Sequence, residues 1–265
     1  MTTTTHDLLA DVDTGYRPGL RAWGQLVLAE GKTVLRDTSG ILVPLGLPLL
    51  ILVMFGMSAA GEEIPDLDGM TALEVFVVPL VLMIVVGTVA VINLPSFLAS
   101  YRKTGVLRRL AVTPAHPLMV LGAQVIVSAI QIAVGVALAL GVAAAAFDLQ
   151  APRRLAVAIG VGLLAAAAMY ALGMLVAALS PTVNSAVAIG MVVFFAMGAT
   201  GGMFGPMEQL PDAIARIGEV LPFGAGSLAL QAAWIGQAVE TTHLLSLGIT
   251  AVVAGAVATA TFRWD

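Results

Sequence analysis

The chain has 265 residues, of which 59% are hydrophobic and only 11% charged, and its mean hydropathy is +1.01. Soluble domains carry about 25% charged residues, so a water-soluble globular protein is excluded. The formal net charge of −4 says little, because position matters more than sum in such a chain, and the absence of cysteine excludes disulfides and thiolate metal sites.

Residues 1–16 are polar, carry Asp7, Asp11 and Asp13, and lack the basic start and short apolar stretch of a signal peptide. They are expected to form a mobile cytoplasmic tail. The segment 17–37 predicts an amphipathic helix lying in the headgroup layer. Leu20, Trp23, Val27, Val34 and Leu35 are apolar, while Arg21, Glu30, Lys32 and Arg36 are charged. Arg21, Trp23, Lys32 and Arg36 are its interfacial residues; a plain juxtamembrane anchor is the alternative.

Six apolar runs follow, at about 41–60, 75–98, 118–147, 155–179, 183–204 and 244–262, and none contains Asp, Glu, Lys, Arg or His. A run of about 18 or more such residues crosses a bilayer core as a helix, and runs of this length exclude a β-barrel, whose strands are about 10 residues long. The expected fold is therefore an all-α integral membrane protein, with 17–265 as a single transmembrane domain. Pro44 and Pro48 should bend the first span or open its backbone. Asn93-Leu94-Pro95-Ser96 reads as a break closing the second. The third is longer than one crossing needs, so it must tilt or project. Asp148 to Arg154 and Ser180 to Asn184 read as tight turns. Gly205 to Thr242, with Pro206, Pro211 and Pro222, predicts one or two short amphipathic helices at the outer surface, a re-entrant path being the alternative.

Orientation follows from Lys and Arg. With both termini in the cytoplasm, nine of the twelve lie inside, and the acidic loop with Glu62, Glu63, Asp66, Asp68 and Glu74 lies outside. Arg153 and Arg154 are the exception. A multi-pass protein of the inner (cytoplasmic) membrane is expected, and nothing points to nucleic acid.

Gly31-Lys32-Thr33 resembles the end of a phosphate loop, but the glycine required five positions earlier is Leu26, so the chain itself should not bind ATP. His6, His116 and His243 fall outside the six runs, and no catalytic or metal site is expected. Gln124, Ser128 and Gln131 share one face of the third span. With Asn93 they either line a substrate path or hold helices together by hydrogen bonds. Gly198 and Gly202, and the stripe Ala129, Ala133, Ala137, Gly141, read either as close-packing seams or as chance. Without intramembrane charge, ion-coupled transport lacks its usual carriers, whereas a channel needs none.

The most informative segment is the loop after the second span. On a helix, Tyr101, Arg102, Gly105, Arg108 and Arg109 recur at three- and four-residue spacing, with Val106, Leu107 and Leu110 beside them and Thr113-Pro114 as a stop. Positive charge alone would fix topology; the added apolar positions suit docking against a partner.

Tyr101-Arg102-Lys103-Thr104-Gly105-Val106-Leu107-Arg108-Arg109-Leu110 with Thr113-Pro114, Leu35-Arg36-Asp37 running into Pro44 and Pro48, and Pro206 through Pro222 together resemble the membrane subunit of a type 2 ABC exporter. The likeness is particularly to the small bacterial drug-resistance permeases of daunorubicin-export type. One departure is Lys103, where that family often has an acidic residue. The resemblance implies six spans, a second copy of the permease or a close relative, and two cytoplasmic ATPase subunits that hold the ATP and Mg. It also implies a coupling role for Tyr101, Arg102, Lys103, Gly105, Leu107, Arg108, Arg109 and Leu110, with the 17–37 helix as a second contact. Permeases of this class export drugs, lipids, polysaccharides or in some cases sodium. With only 6% aromatic residues a polysaccharide ranks low. An amphipathic drug-like molecule or lipid is the expected substrate, and drug efflux with antibiotic resistance the expected role. A passive channel or scaffold whose basic loop only fixes topology is the alternative.

Overall fold

The computed structural model describes residues 19–65, 67, 69–103 and 117–261. The expected tail, His6, Arg17 and His116, and Gly105, Leu107, Arg108, Arg109 and Leu110 of the basic loop, lie outside these residues.

Helix α1 (Leu20–Arg36) precedes six long apolar helices: α2 (Thr38–Ala59), α3 (Leu73–Lys103), α4 (Pro117–Phe147), α5 (Leu155–Leu179), α6 (Val183–Thr200) and α9 (Thr241–Thr261). Two short helices, α7 (Asp212–Val220) and α8 (Pro222–Ile235), separate α6 from α9. No strand occurs among the described residues, only an isolated bridge between Glu63 and Thr71. The chain is an all-α integral membrane protein. Leu42, Met57, Leu163, Val192 and Val252 project outward from the spans, as side chains meeting lipid must.

The bundle is built around α3, whose most apolar window is 78% buried against 17–28% for the other five spans. At 31 residues it is about 46 Å long. Sequence reasoning ended this span at Leu98 with a break at Asn93–Ser96, but the helix runs on through Pro95 to Lys103. The reason is a π-helical turn over Thr88–Asn93, in which the Leu94 N–H bonds to the Val89 carbonyl five residues back. A second π turn over Leu73–Val77 leads into Pro79 in the same way. Each proline thus enters where the ladder is already shifted, and the helix absorbs it without ending.

The shifted ladder decides what packs against α3. A Cβ built on Gly173 of α5 would lie 1.9 Å from the Ala90 carbonyl oxygen, and one on Gly190 of α6 would lie 2.4 Å from that of Val91. Both glycines let α5 and α6 close onto the π turn, where carbonyls stand away from the helix axis. On the far side α5 pairs with α9 along most of their lengths.

Three alternatives left open by the sequence are decided. Helix α8 is not a surface helix: Phe223, Ala225, Gly226, Ala229 and Ala233 sit in the core, with the Phe223 ring edge-on to Phe194 at 6.0 Å. Only α7 is amphipathic and exposed, and α8 leaves it at a 79° bend. The Gly198/Gly202 pair forms no helix seam, because α6 ends at Thr200 and Gly202 is a turn residue with φ of 88°. The Ala129, Ala133, Ala137, Gly141 stripe faces out of the bundle; Ala139 and Ala143 are the buried alanines of α4.

Charged residues also sit deeper than expected. Glu74 is buried in the first turn of α3, where its carboxylate accepts from the Thr71 and Gln150 N–H groups, both at 2.8 Å. It therefore caps α3 and ties it to the α4–α5 turn. His243 is the third residue of α9 and is buried. Arg153 and Arg154, the basic exceptions, donate to the carbonyls of Leu67 and Gln237 and so tie two loops to that same turn.

Candidate functional site

The start of the basic loop is the last turn of α3, and its side chains point in different directions. Tyr101 is buried, Arg102 half-buried and Lys103 exposed. The Tyr101 hydroxyl donates to the carboxylate of Glu30 on α1 and stands 3.3 Å from Gln124 Oε1 on α4. Arg102 turns the other way, and its guanidinium donates to the carbonyls of Ala177 and Ser180, the latter at 3.0 Å, at the end of α5. A cation on helix-terminal carbonyls is favoured by the helix dipole. Arg102, Lys103 and the α5–α6 turn line a concavity of about 700 Å³.

Sequence reasoning placed Glu30 among the charges of the interfacial face; the structure turns it inward. Trp23 also faces the bundle, with its ring against Gly122 of α4, whereas Arg21, Lys32 and Arg36 stay exposed. Burial pushes the Glu30 carboxyl above its ordinary 4.5, and the bond from Tyr101 offsets part of that rise. A carboxyl raised in the fold contributes stability that is complete below about pH 4.5 and is lost as pH rises through the raised value. The melting temperature of the wild-type protein minus that of Glu30→Gln should therefore increase on acidification toward pH 4.5. A difference that stays flat or shrinks in detergent melts would show that Glu30 is not desolvated as described.

The four polar residues singled out in the second and third spans, Asn93, Gln124, Ser128 and Gln131, are all buried and all bonded inside the chain. Pro44 has no N–H, so the Gly40 carbonyl four residues earlier loses its partner in the α2 ladder. Asn93 Nδ2 and Gln131 Nε2 both donate to it, at 2.7 and 2.6 Å. Ser128 Oγ donates to the Gln124 carbonyl at 2.8 Å and accepts from the Tyr170 hydroxyl at 3.1 Å. Glu30, Tyr101, Gln124, Ser128 and Tyr170 thus form a polar chain across α1, α3, α4 and α5. Of the two roles open from sequence, the geometry displays interhelical bonding. None of the four lines the cavities described here.

Two further openings lie elsewhere. Near the end of the bundle that holds the 60–72 loop, a cavity of about 510 Å³ is lined by Phe55, Phe76 and Phe204 together with Ser58, Ser227 and Gln231. A groove of about 760 Å³ runs between α4 and α5. Sequence reasoning named neither set. Glu30 had no visible link to a tyrosine 71 positions away, whereas the orphaned Gly40 carbonyl was implied by Pro44 itself.

A family model for the ABC-2 type transporter matches residues 21–233, well over half of the chain. No curated protein matches it significantly. Membrane domains of this family carry no ATPase site of their own; they work with a cytoplasmic ATPase and typically dimerise. A six-span helical bundle with its polar chain gathered at the basic end of α3 agrees with that match, and the chain belongs to the ABC-2 type transporter family as the membrane-spanning permease subunit of an ABC transporter.

Proposed function

We propose that this permease is the membrane half of an exporter of the daunorubicin-resistance type, with its basic end and both termini in the cytoplasm of the cell whose inner membrane holds it. Two copies, or one copy and a close relative, would pair with two ATPase subunits that bind ATP and Mg. The loop from Tyr101 to Leu110, including Lys103, Gly105, Leu107, Arg108 and Arg109, is the ATPase contact, with the exposed Arg21, Lys32 and Arg36 of α1 as a second contact.

The observation that carries this reading is the pair of opposed anchors at the start of the loop. Tyr101 grips α1 and α4 while Arg102 grips the end of α5. A push on the loop is therefore delivered to four helices at once, an arrangement that fixing topology does not require. The 510 Å³ cavity, with three phenylalanine rings beside serine and glutamine side chains, suits an amphipathic small molecule or lipid at the far end of the path.

Co-purification with the candidate ATPase, followed by its turnover in lipid, tests the proposal. Arg108→Glu with Arg109→Glu should abolish the complex or reduce stimulated turnover at least about tenfold, a loss of about 1.4 kcal/mol in coupling, while insertion is unchanged. A stable, fully stimulated complex with both charges reversed would mean that the loop only anchors topology, as in a passive channel or scaffold.

A further inference from the structure

We infer that the groove between α4 and α5 is a binding site for an anionic phospholipid, with one acyl chain along the groove and the phosphate at Arg154. Helices α4 and α5 are consecutive yet make at most slight contact. Their walls face each other from Ala129 to Ala144 and from Leu155 to Tyr170, with Met83 of α3 on the floor. At 1.5 Å per residue the groove is about 22 Å long, and its apolar walls take a hydrocarbon chain lengthwise; a helix of a second copy is the competing occupant, which the test below distinguishes.

At one end Tyr170 lines the groove with its hydroxyl already donated to Ser128; the other end holds donors that are not so spent. Trp234 lines that end, is 2% exposed, and its indole N–H is a buried donor with no partner. A buried indole normally finds an acceptor, and a small turn of the ring toward the groove would bring its N–H to the ester carbonyl of a phospholipid, just below the phosphate. Pro152 and Leu155 line the same end and bracket the exposed Arg153 and Arg154. Arg154 spends one Nη on the Gln237 carbonyl, and a guanidinium has five donors. These two arginines are the residues that the charge distribution of the chain left unexplained. An acyl chain, an ester acceptor and a phosphate occur in that order in a phospholipid, as apolar groove, indole and arginine do here.

The test uses Trp234 as its own reporter. The full chain carrying Trp23→Phe and Trp264→Phe is reconstituted in phosphatidylcholine vesicles containing a small fraction of lipid with brominated acyl chains. Bromine on phosphatidylglycerol should act on Trp234 at about one-fifth of the concentration needed with brominated phosphatidylcholine, the preference that one arginine gives at an anionic surface. Arg154→Gln should remove that preference and Arg154→Lys should largely keep it. A Cβ on Gly162 or on Gly160 meets nothing within 4 Å, but only Gly162 lines the groove. Gly162→Leu should therefore weaken quenching by both lipids, and Gly160→Leu should not. Equal quenching by the two lipids, unmoved by Gly162→Leu, would overturn the proposal. So would a Gly162→Leu chain that loses dimer while its quenching persists, since a second copy would then cover the groove. The readout needs no ATPase and no transport, so it stands or falls separately from the exporter reading.

Discussion

Gly173→Ala and Gly190→Ala should each destabilise the protein by about 1–3 kcal/mol or more, and together they should prevent a folded bundle from being recovered in detergent. The methyl of Gly173→Ala would meet the Ala90 carbonyl oxygen at 1.9 Å, and that of Gly190→Ala the Val91 oxygen at 2.4 Å. Both obstacles are backbone, so no rotamer change relieves them, and α5 or α6 must back away from α3. The same substitution at Gly160 or Gly248, where a Cβ meets nothing within 4 Å, should be neutral or stabilise by up to about 1 kcal/mol through helix propensity. Thermal melts followed by size-exclusion chromatography separate the two classes. If Gly173→Ala melts like Gly160→Ala, the Ala90 carbonyl does not stand against α5 as described.

Asn93→Ala with Gln131→Ala should cost more than the sum of the two single changes. Each single variant leaves the other amide on the Gly40 carbonyl, so each should lose only about 0.5–1.5 kcal/mol. The double variant leaves a buried carbonyl with no donor, which costs about 1–3 kcal/mol beyond the lost bonds. Pro44→Ala restores an N–H four residues after Gly40, so in that background the excess should largely vanish. Additive losses, or an excess that survives Pro44→Ala, would show that the two amides serve something other than the proline-freed carbonyl. The cycle also separates the two roles of these residues: a substrate path would lose transport in the single variants without this pattern of stability.

How much of this was legible in advance varies by residue. Leu155–Leu179 and Val183 onward were legible to the residue because a long uncharged run bounded by Arg154 and by Ser180-Pro181-Thr182 has one stable solution in a bilayer. The continuation of α3 through Pro95 was not, because a π turn leaves no mark in hydropathy. The inward turn of Glu30 was hidden for another reason. On a helical wheel it belongs to the charged face, and only the position of Tyr101 on a different helix makes burial tolerable. Gly173 and Gly190 stood out among 28 glycines only once α3 was in place.

By itself, the sequence determined the class, the number of spans and the basic end of the bundle, since each follows from the cost of placing charge and unpaired backbone in hydrocarbon. These are one-dimensional quantities, read residue by residue along the chain. Only the tertiary structure decided that α3 is the central helix, that α8 is buried, that Asn93 and Gln131 meet on one carbonyl, and that α4 and α5 stand apart over a groove. Those outcomes depend on which surfaces fit together at van der Waals distance, and packing in a membrane bundle is set by shape and by paired polar groups rather than by hydrophobicity, which all six spans share.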